Sequence, residues 1–176
     1  YEPVLRAFKQ AANNDADINI IVDEKQNSKN YPRGKNIKAI GNVHIKSLVT
    51  ARKSNPSYIA HNKFIVLLKD GNPIEVWTGS TNISQGGIFG QSNVGHLVRD
   101  PVVAKKFLDY WQELSSDPGA STLRQWNEAA TPVPNGQASS GSKCIFSPRP
   151  DLAALQWGRR SMFRRHSKMR QSQEIR

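Results

Sequence analysis

The amino-acid sequence predicts an α/β fold, in which short strands alternate with amphipathic helices. Two observations indicate this class. Residues 64–78 hold two apolar runs on either side of Asp70-Gly71-Asn72-Pro73, a turn sequence that joins the strands of a β-hairpin. Residues 101–114 carry apolar side chains at helical spacing. Because a chain of 176 residues has room for one core of ordinary size, we expect a single domain.

The apolar pattern before the hairpin switches between helical and extended spacing. A helix is expected first, over residues 2–13, with Glu2 in the first turn, where the helix dipole favours an acid. The other elements predicted for this region are a strand at 18–22, a polar loop at 23–35, a short helix at 36–40 and a strand at 44–49.

Both strands of the hairpin are predicted to be largely buried. The first, residues 64–68, is a continuous apolar run, and the second, residues 73–78, is rich in strand-forming apolar residues. Side chains two apart on a strand share a face, so His61 and Lys63 are expected to point the same way.

A loop with Gly86 and Gly87 follows the hairpin. Two interpretations of these glycines stay open: their backbone amides cradle a phosphate, or they only allow a turn. A strand at 93–98 leads to the helix at 101–114, which Asp100 is expected to cap. The core side chains predicted on that helix are Val103, Phe107, Trp111 and Leu114.

The composition changes after a last helix, predicted at 121–129. Residues 131–142 are rich in Pro, Gly, Ser and Ala and predict a linker, so the domain is placed at 1–130. A strand at 143–148 and the first turns of a helix at 151–157 then indicate the start of a second half, over 143–157.

A basic tail occupies residues 158–176, where seven Lys and Arg and one acid give +6 of the chain's net charge of +11. We expect this tail to be disordered. In one interpretation it binds nucleic acid or anionic lipid through phosphate contacts. In the other the reading frame has been lost, and the tail has no selected role. The abrupt loss of helical pattern after Trp157 favours the second interpretation.

The bulk composition limits the classes of protein. A mean hydropathy of −0.60 and the lack of a long apolar run exclude a transmembrane helix. The pI near 10.0 permits a polyanionic substrate. The single cysteine, Cys144, cannot form an internal disulfide and is interpreted as a buried structural thiol. We expect a soluble protein, cytoplasmic unless an upstream signal precedes this sequence.

The residues that carry chemistry flank the hairpin. His61-Asn62-Lys63 precedes the first strand, and Gly79-Ser80-Thr81-Asn82 ends the second. An antiparallel hairpin brings these two segments to one edge, where an imidazole, an ammonium, a hydroxyl and an amide would meet. A neutral imidazole attacks a phosphodiester when fixed donors hold the phosphate oxygens.

A second His-x-Lys, His44-Ile45-Lys46, serves as an internal control for this pattern. No Gly-Ser-x-Asn follows it at a comparable distance, so we interpret it as ordinary strand or loop sequence. The alternative for His61 is a half-buried histidine with one satisfied hydrogen bond. The combination of His61 with Lys63 and the later Gly-Ser-x-Asn favours the chemical interpretation.

His61-Asn62-Lys63 with Gly79-Ser80-Thr81-Asn82 resembles the HKD motif of the phospholipase D superfamily. The resemblance covers roughly residues 1–100 and implies the mixed sheet flanked by helices that this superfamily shares. A buried strand precedes the first helix in that family and is absent here. The sequence therefore predicts a domain that lacks its first strand.

The chain departs from the family pattern at two acids. The Asp of the motif would fall at Leu68, whereas the nearest one, Asp70, lies in the turn of a longer hairpin. In the family, an acid often lies two residues after a later Asn. That Asn corresponds to Asn93 here, and Gly95 occupies the position of the acid. The carboxylate that orients His61 is thus unidentified, with Asp70 or Glu75 as candidates and Asn93 as a further supporting residue.

The resemblance implies a two-step reaction that needs no metal or other cofactor. His61 attacks phosphorus and forms a covalent phosphohistidine, while Lys63 and Asn82 bind the non-bridging oxygens with help from Ser80. A second HKD histidine protonates the leaving oxygen and then activates water or an alcohol. The chain holds one complete motif, so that histidine must come from a homodimer partner or a missing C-terminal half. The appearance of both chain ends favours the missing half.

The sequence thus predicts a phosphodiesterase of the phospholipase D type, acting on a phospholipid or a nucleic acid. The alternative is a catalytically incomplete fragment, or a module that only binds phosphate or nucleic acid. Whether two copies of His61 approach each other in an assembly would separate these functions.

Overall fold

The computed structural model describes residues 1–24, 33–54, 61–134 and 142–151. These residues fall into two compact units, one over residues 1–119 and one from Ala120 onward. The second unit contains α5 (Ala120–Ala130). The first unit contains α1 (Glu2–Asn13), β1 (Ile20–Asp23), α2 (Arg33–Val43), β2 (Val49–Arg52), β3 (Phe64–Lys69), β4 (Asn72–Gly79), α3 (Gln85–Phe89), β5 (Gly95–Val98) and α4 (Pro101–Ser115).

Parallel and antiparallel strand pairs confirm the predicted mixed α/β fold. β1 and β2 run parallel, with Ile20 opposite Val49. β3, β4 and β5 form an antiparallel sheet in that order. In the part of the chain that the structure describes, the two kinds of pairing therefore occur in separate sheets rather than side by side in one.

The core of the parallel pair lies at the end of α2. Ile40, Val43 and Ile45 are buried there. Partly buried side chains from α1, β1 and the start of β2 pack against them. The ammonium of Lys9 on α1 donates to the carbonyl oxygen of Val43 at 3.0 Å, which ties the two helices together.

The strand predicted at 44–49 is wrong over most of its length. α2 continues to Val43, beyond the short helix expected at 36–40, and His44 ends it in the left-handed region with a φ of 56°. The amide of Ile45 then donates to the carbonyl oxygen of Ile40 at 3.3 Å, as in a helix C-cap. The apolar residues around His44 therefore seal a helix end, and β2 starts only at Val49.

The predicted hairpin is confirmed as β3 and β4. Asp70 and Gly71 both have positive φ, 51° and 77°, which is the backbone of a type I′ turn and matches the strand twist. The prediction that both strands are largely buried is wrong for β3, because α4 covers only one face of the sheet. Ile65 and Leu67 point to the other face and are 40% and 53% exposed.

Helix α4 begins as predicted, at Pro101. The carboxylate of Asp100 accepts from the amides of Val102 and Val103, at 2.9 and 3.2 Å. Of the four predicted core residues, Val103 and Leu114 are buried, whereas Phe107 and Trp111 are half-buried. The buried stripe is turned toward Ala104 and Tyr110, because the sheet packs against that side of the helix.

The end of β2 is clamped to the residues after α4. Both carboxylate oxygens of Asp117 accept from the amides of Lys53 and Ser54, at 3.0 to 3.1 Å. The guanidinium of Arg52 is buried, lies 3.4 Å from the same carboxylate and donates to the carbonyl oxygen of Pro118 at 3.0 Å. This clamp holds the chain at Ser54, before the segment that leads to His61.

The second unit forms around the C-terminal end of α5, the helix predicted at 121–129. Arg149 donates to the carbonyl oxygens of Asn127 and Thr131, both at 3.0 Å, and so caps that helix end. The strand predicted at 143–148 does not form. Instead, the amide of Phe146 donates to the hydroxyl of Thr131 at 3.1 Å, which takes this segment out of a strand ladder.

Three further predictions for the C-terminal part concern Cys144, a helix and the basic tail. Cys144 is half-buried rather than fully buried. The helix predicted at 151–157 lies outside the described residues apart from its first position, and the basic tail at 158–176 lies outside them entirely. Among the described helices, none has the length and apolar character needed to cross a membrane.

Candidate active site

Three strand ends meet at one edge of the antiparallel sheet. β3 begins at Phe64, which lies opposite Thr78, and β4 ends at Gly79, which lies opposite Gly95 at the start of β5. The segments 61–63 and 80–82 and the residue Asn93 each adjoin one of these ends. The antiparallel register thus brings the predicted site residues of both motif halves to the same edge.

Gly79 allows β4 and β5 to approach closely at this edge. A Cβ atom at that position would lie 2.0 Å from the carbonyl oxygen of Val94 and 2.9 Å from the Cα of Gly95. The close approach lets the amide of Ser80 donate to the same carbonyl oxygen at 2.9 Å. The glycine of Gly-Ser-x-Asn is therefore required by backbone packing.

The hydroxyl of Ser80 is engaged in hydrogen bonds with the chain. It accepts from the amide of Val94 at 3.0 Å and donates to Oδ1 of Asn93 at 3.2 Å. Asn93 in turn donates to the carbonyl oxygen of Gly87 at 2.8 Å. A serine hydroxyl has one donor hydrogen, so in this arrangement Ser80 fixes the strand ends and the following loop.

The glycines after the motif lie in a short helix, α3, rather than in the predicted loop. Ser84 caps it by accepting from the amide of Gly87 at 3.1 Å, so that amide is not available to cradle a phosphate. A Cβ at Gly87 would lie 2.4 Å from the carbonyl oxygen of Asn82, whereas one at Gly86 would meet nothing within 4 Å. Gly87 thus allows α3 to pack under Asn82.

The three residues proposed for the chemistry, His61, Lys63 and Asn82, differ in their exposure to solvent. His61 and Asn82 are exposed, and their side chains make no hydrogen bond with any described residue. Lys63 is half-buried, and its ammonium donates to the carbonyl oxygen of His61 at 2.7 Å. Burial lowers the pKa of that ammonium from its ordinary value.

Neither acid proposed from the sequence reaches the imidazole. Asp70 lies in the hairpin turn, six residues beyond Phe64, which at the rise of a strand is about 20 Å from the site edge. Glu75 lies opposite Leu67, about 10 Å along the strand, and pairs with the guanidinium of Arg99 at 3.3 Å. The structure therefore separates both carboxylates from His61 and brings Asn93 to Ser80 instead.

Sequence reasoning missed Tyr110 of α4, whose hydroxyl donates to Oδ1 of Asn62 at 3.3 Å. Its helical spacing of seven residues from Val103 would have placed it on the buried face, where the prediction had Trp111.

For metals, the described ranges contain no group of three or more His, Cys, Asp or Glu side chains that could hold an ion.

Comparison with known proteins supports the superfamily predicted from the motif. A family model described as cardiolipin synthase, PLD-like domain matches residues 1–115. Comparisons with curated proteins and with solved structures gave no match. The family match spans 115 of the 176 residues and includes every candidate site residue. Proteins of this superfamily are generally phosphodiesterases. The chain therefore belongs to the family of phospholipase D-like domains.

Proposed function

We propose that this chain supplies one half of a phospholipase D-type active site, with His61 as the nucleophile. The observation that carries this proposal is the sheet edge where His61, Lys63 and Asn82 adjoin neighbouring strand ends. Membership of the family supports phosphodiester chemistry, and the exposed imidazole supports an attacking role for His61. The substrate is a phosphodiester, of a phospholipid or of a nucleic acid.

In the first step, a neutral nitrogen of His61 forms a bond to phosphorus, and the ester bond to the leaving oxygen breaks. Lys63 has three ammonium donors, of which one is directed at the carbonyl oxygen of His61. The others, with the amide of Asn82, would bind the non-bridging oxygens as charge develops there. Ser80 would join them only by exchanging its hydrogen bond to Asn93.

A second histidine completes this reaction. It protonates the leaving oxygen, then takes a proton from water or an alcohol that attacks the phosphohistidine and returns His61 to its neutral form. The chain holds one complete motif, so the second histidine would come from another HKD half. That half is either a second copy across a two-fold axis or a separate polypeptide segment.

Hydrolysis of bis-p-nitrophenyl phosphate in EDTA tests this mechanism. His61→Asn removes the nucleophile, and we expect turnover to fall by at least about a thousandfold, as when a covalent nucleophile is lost. His44→Asn is the matched control, because His44 belongs to the other His-x-Lys and is exposed. Asparagine tolerates the left-handed backbone at position 44, so the His44→Asn variant should keep wild-type turnover.

Turnover that survives His61→Asn, or that EDTA abolishes, would falsify the metal-independent mechanism. Turnover per chain that rises with protein concentration, in step with dimer formation in sedimentation, would assign the second half to another copy. A chain that binds inorganic phosphate but has no turnover at any concentration would support the alternative, an incomplete fragment or a phosphate-binding or nucleic-acid-binding module.

A further inference from the structure

Tyr110 lies on the face of the sheet that α4 covers, next to residues 61–63. Its side chain is buried, at 2% exposure, and its ring stacks on that of Phe64 with centroids 5.9 Å apart. Its hydroxyl donates to Oδ1 of Asn62, the residue between His61 and Lys63, at 3.3 Å. A buried tyrosine thus makes a hydrogen bond to the central residue of the motif.

We propose that Tyr110 is a positioning residue, which holds His61 and Lys63 toward the substrate by anchoring Asn62. This inference rests on the proposed function of the same edge. His61 and Lys63 are the chain neighbours of Asn62, so an anchor on the side chain of Asn62 limits the motion of both residues.

A second hydrogen bond fixes the same segment from the other strand. The hydroxyl of Thr78 donates to the carbonyl oxygen of Lys63 at 3.1 Å, and Thr78 lies opposite Phe64 in the hairpin register. Residues 61–63 lie outside β3. Two side-chain hydrogen bonds therefore restrain this segment, one from α4 to the side chain of Asn62 and one from β4 to the backbone of Lys63.

The role of the Tyr110 hydroxyl is separable from the role of its ring. Tyr110→Phe keeps the ring that stacks on Phe64 and removes the hydroxyl that donates to Asn62. Asn62→Ala removes the acceptor and leaves Tyr110 in place. If Tyr110 acts through Asn62, the double variant should lose no more than the more severe single variant.

The experiment uses the full chain labelled with ¹⁵N. The first measurement is the order parameter of the Asn62 and Lys63 amides, which requires no turnover. The second is the affinity for inorganic phosphate, followed by chemical shift. We expect Tyr110→Phe and Asn62→Ala each to lower the order of these amides and to weaken phosphate binding about fivefold, since each removes one hydrogen bond.

Val103→Ala is the matched control, because Val103 is buried on the same helix at 6% exposure and is not a site residue. It should lower Tm and leave both measurements at the site unchanged. Wild-type order in Tyr110→Phe would overturn the proposal, as would a double variant whose loss equals the product of the two single losses.

The outcomes also separate this inference from the proposed function. If Tyr110→Phe loosens Asn62 and Lys63 but no turnover depends on His61, positioning stands and the catalytic proposal falls. If turnover depends on His61 while the order of these amides is unchanged in Tyr110→Phe, the catalytic proposal stands and Tyr110 is only a core residue.

Discussion

Replacing Gly79 with alanine tests the physical basis of the site edge, the close approach of β4 and β5. The added Cβ would lie 2.0 Å from the carbonyl oxygen of Val94 and 2.9 Å from the Cα of Gly95. Both of these are backbone atoms, so no side-chain rotation relieves the overlap. We therefore expect the end of β4 to separate from the start of β5.

The magnitude follows from the contacts that this separation would lose. Overpacking in a close-packed region costs about 1–3 kcal/mol. Two hydrogen bonds join Ser80 to Val94, at 2.9 and 3.0 Å, and each contributes about 1 kcal/mol. Together these terms predict that Gly79→Ala lowers the free energy of unfolding by about 3–5 kcal/mol.

Urea unfolding followed by tryptophan fluorescence measures this change, and two other glycines provide matched substitutions. Gly86→Ala adds a methyl group that meets nothing within 4 Å, in a helix that favours alanine by about 0.5–1 kcal/mol. Gly95→Ala would place Cβ 2.8 Å from the indole nitrogen of Trp77, a side chain that is able to shift, at a cost of about 1 kcal/mol.

We expect the free energy of unfolding to be highest for Gly86→Ala, lower for Gly95→Ala and lowest for Gly79→Ala. A free energy of unfolding for Gly79→Ala within about 0.5 kcal/mol of wild type, the range of a neutral surface change, would refute the packing argument. It would also mean that the glycine of Gly-Ser-x-Asn is not required by the contact with Val94.

Two further predictions concern acids that accept backbone hydrogen bonds. Asp117→Asn should destabilise the first unit by about 2 kcal/mol at pH 7, because a charged acceptor for the amides of Lys53 and Ser54 is lost. Desolvation opposes those bonds, but the net effect lowers the pKa of Asp117, so its stabilisation is complete above about pH 4 and is lost as the pH falls further. Unfolding midpoints of wild type and variant should therefore converge below pH 4, and a constant difference down to pH 2 would contradict this. Asp100→Ala should cost about 1 kcal/mol in urea unfolding through loss of the α4 N-cap, and an unchanged midpoint would show that the cap is not needed.

The hairpin and α4 were predictable because their signals are local. The turn sequence at Asp70 and Gly71 specifies a left-handed backbone at two adjacent positions, whatever surrounds it. Asp100 followed by Pro101 likewise determines a helix start from neighbouring atoms alone. The juxtaposition of the two motif halves follows from these elements, because an antiparallel hairpin has only one way to bring its ends together.

The misassigned segments have contacts from distant parts of the chain. Ile45 lies in an apolar stretch that favours a strand, but it belongs to a buried cluster against which Leu5 of α1 and Ile20 of β1 pack. Phe146 belongs to an apolar run, yet its amide bonds to the hydroxyl of Thr131, fifteen residues earlier. In both cases a tertiary contact outweighs the local preference for extended structure.

The sequence by itself determined the chemistry available at the hairpin edge: an imidazole at His61, an ammonium at Lys63 and an amide at Asn82. Tertiary structure alone decided how these groups are held. It directed the hydroxyl of Ser80 to Asn93 and brought Tyr110 to Asn62 across 48 residues of chain. Residue types and short spacings are written in the sequence, whereas side-chain partners depend on the way α4 packs on the sheet.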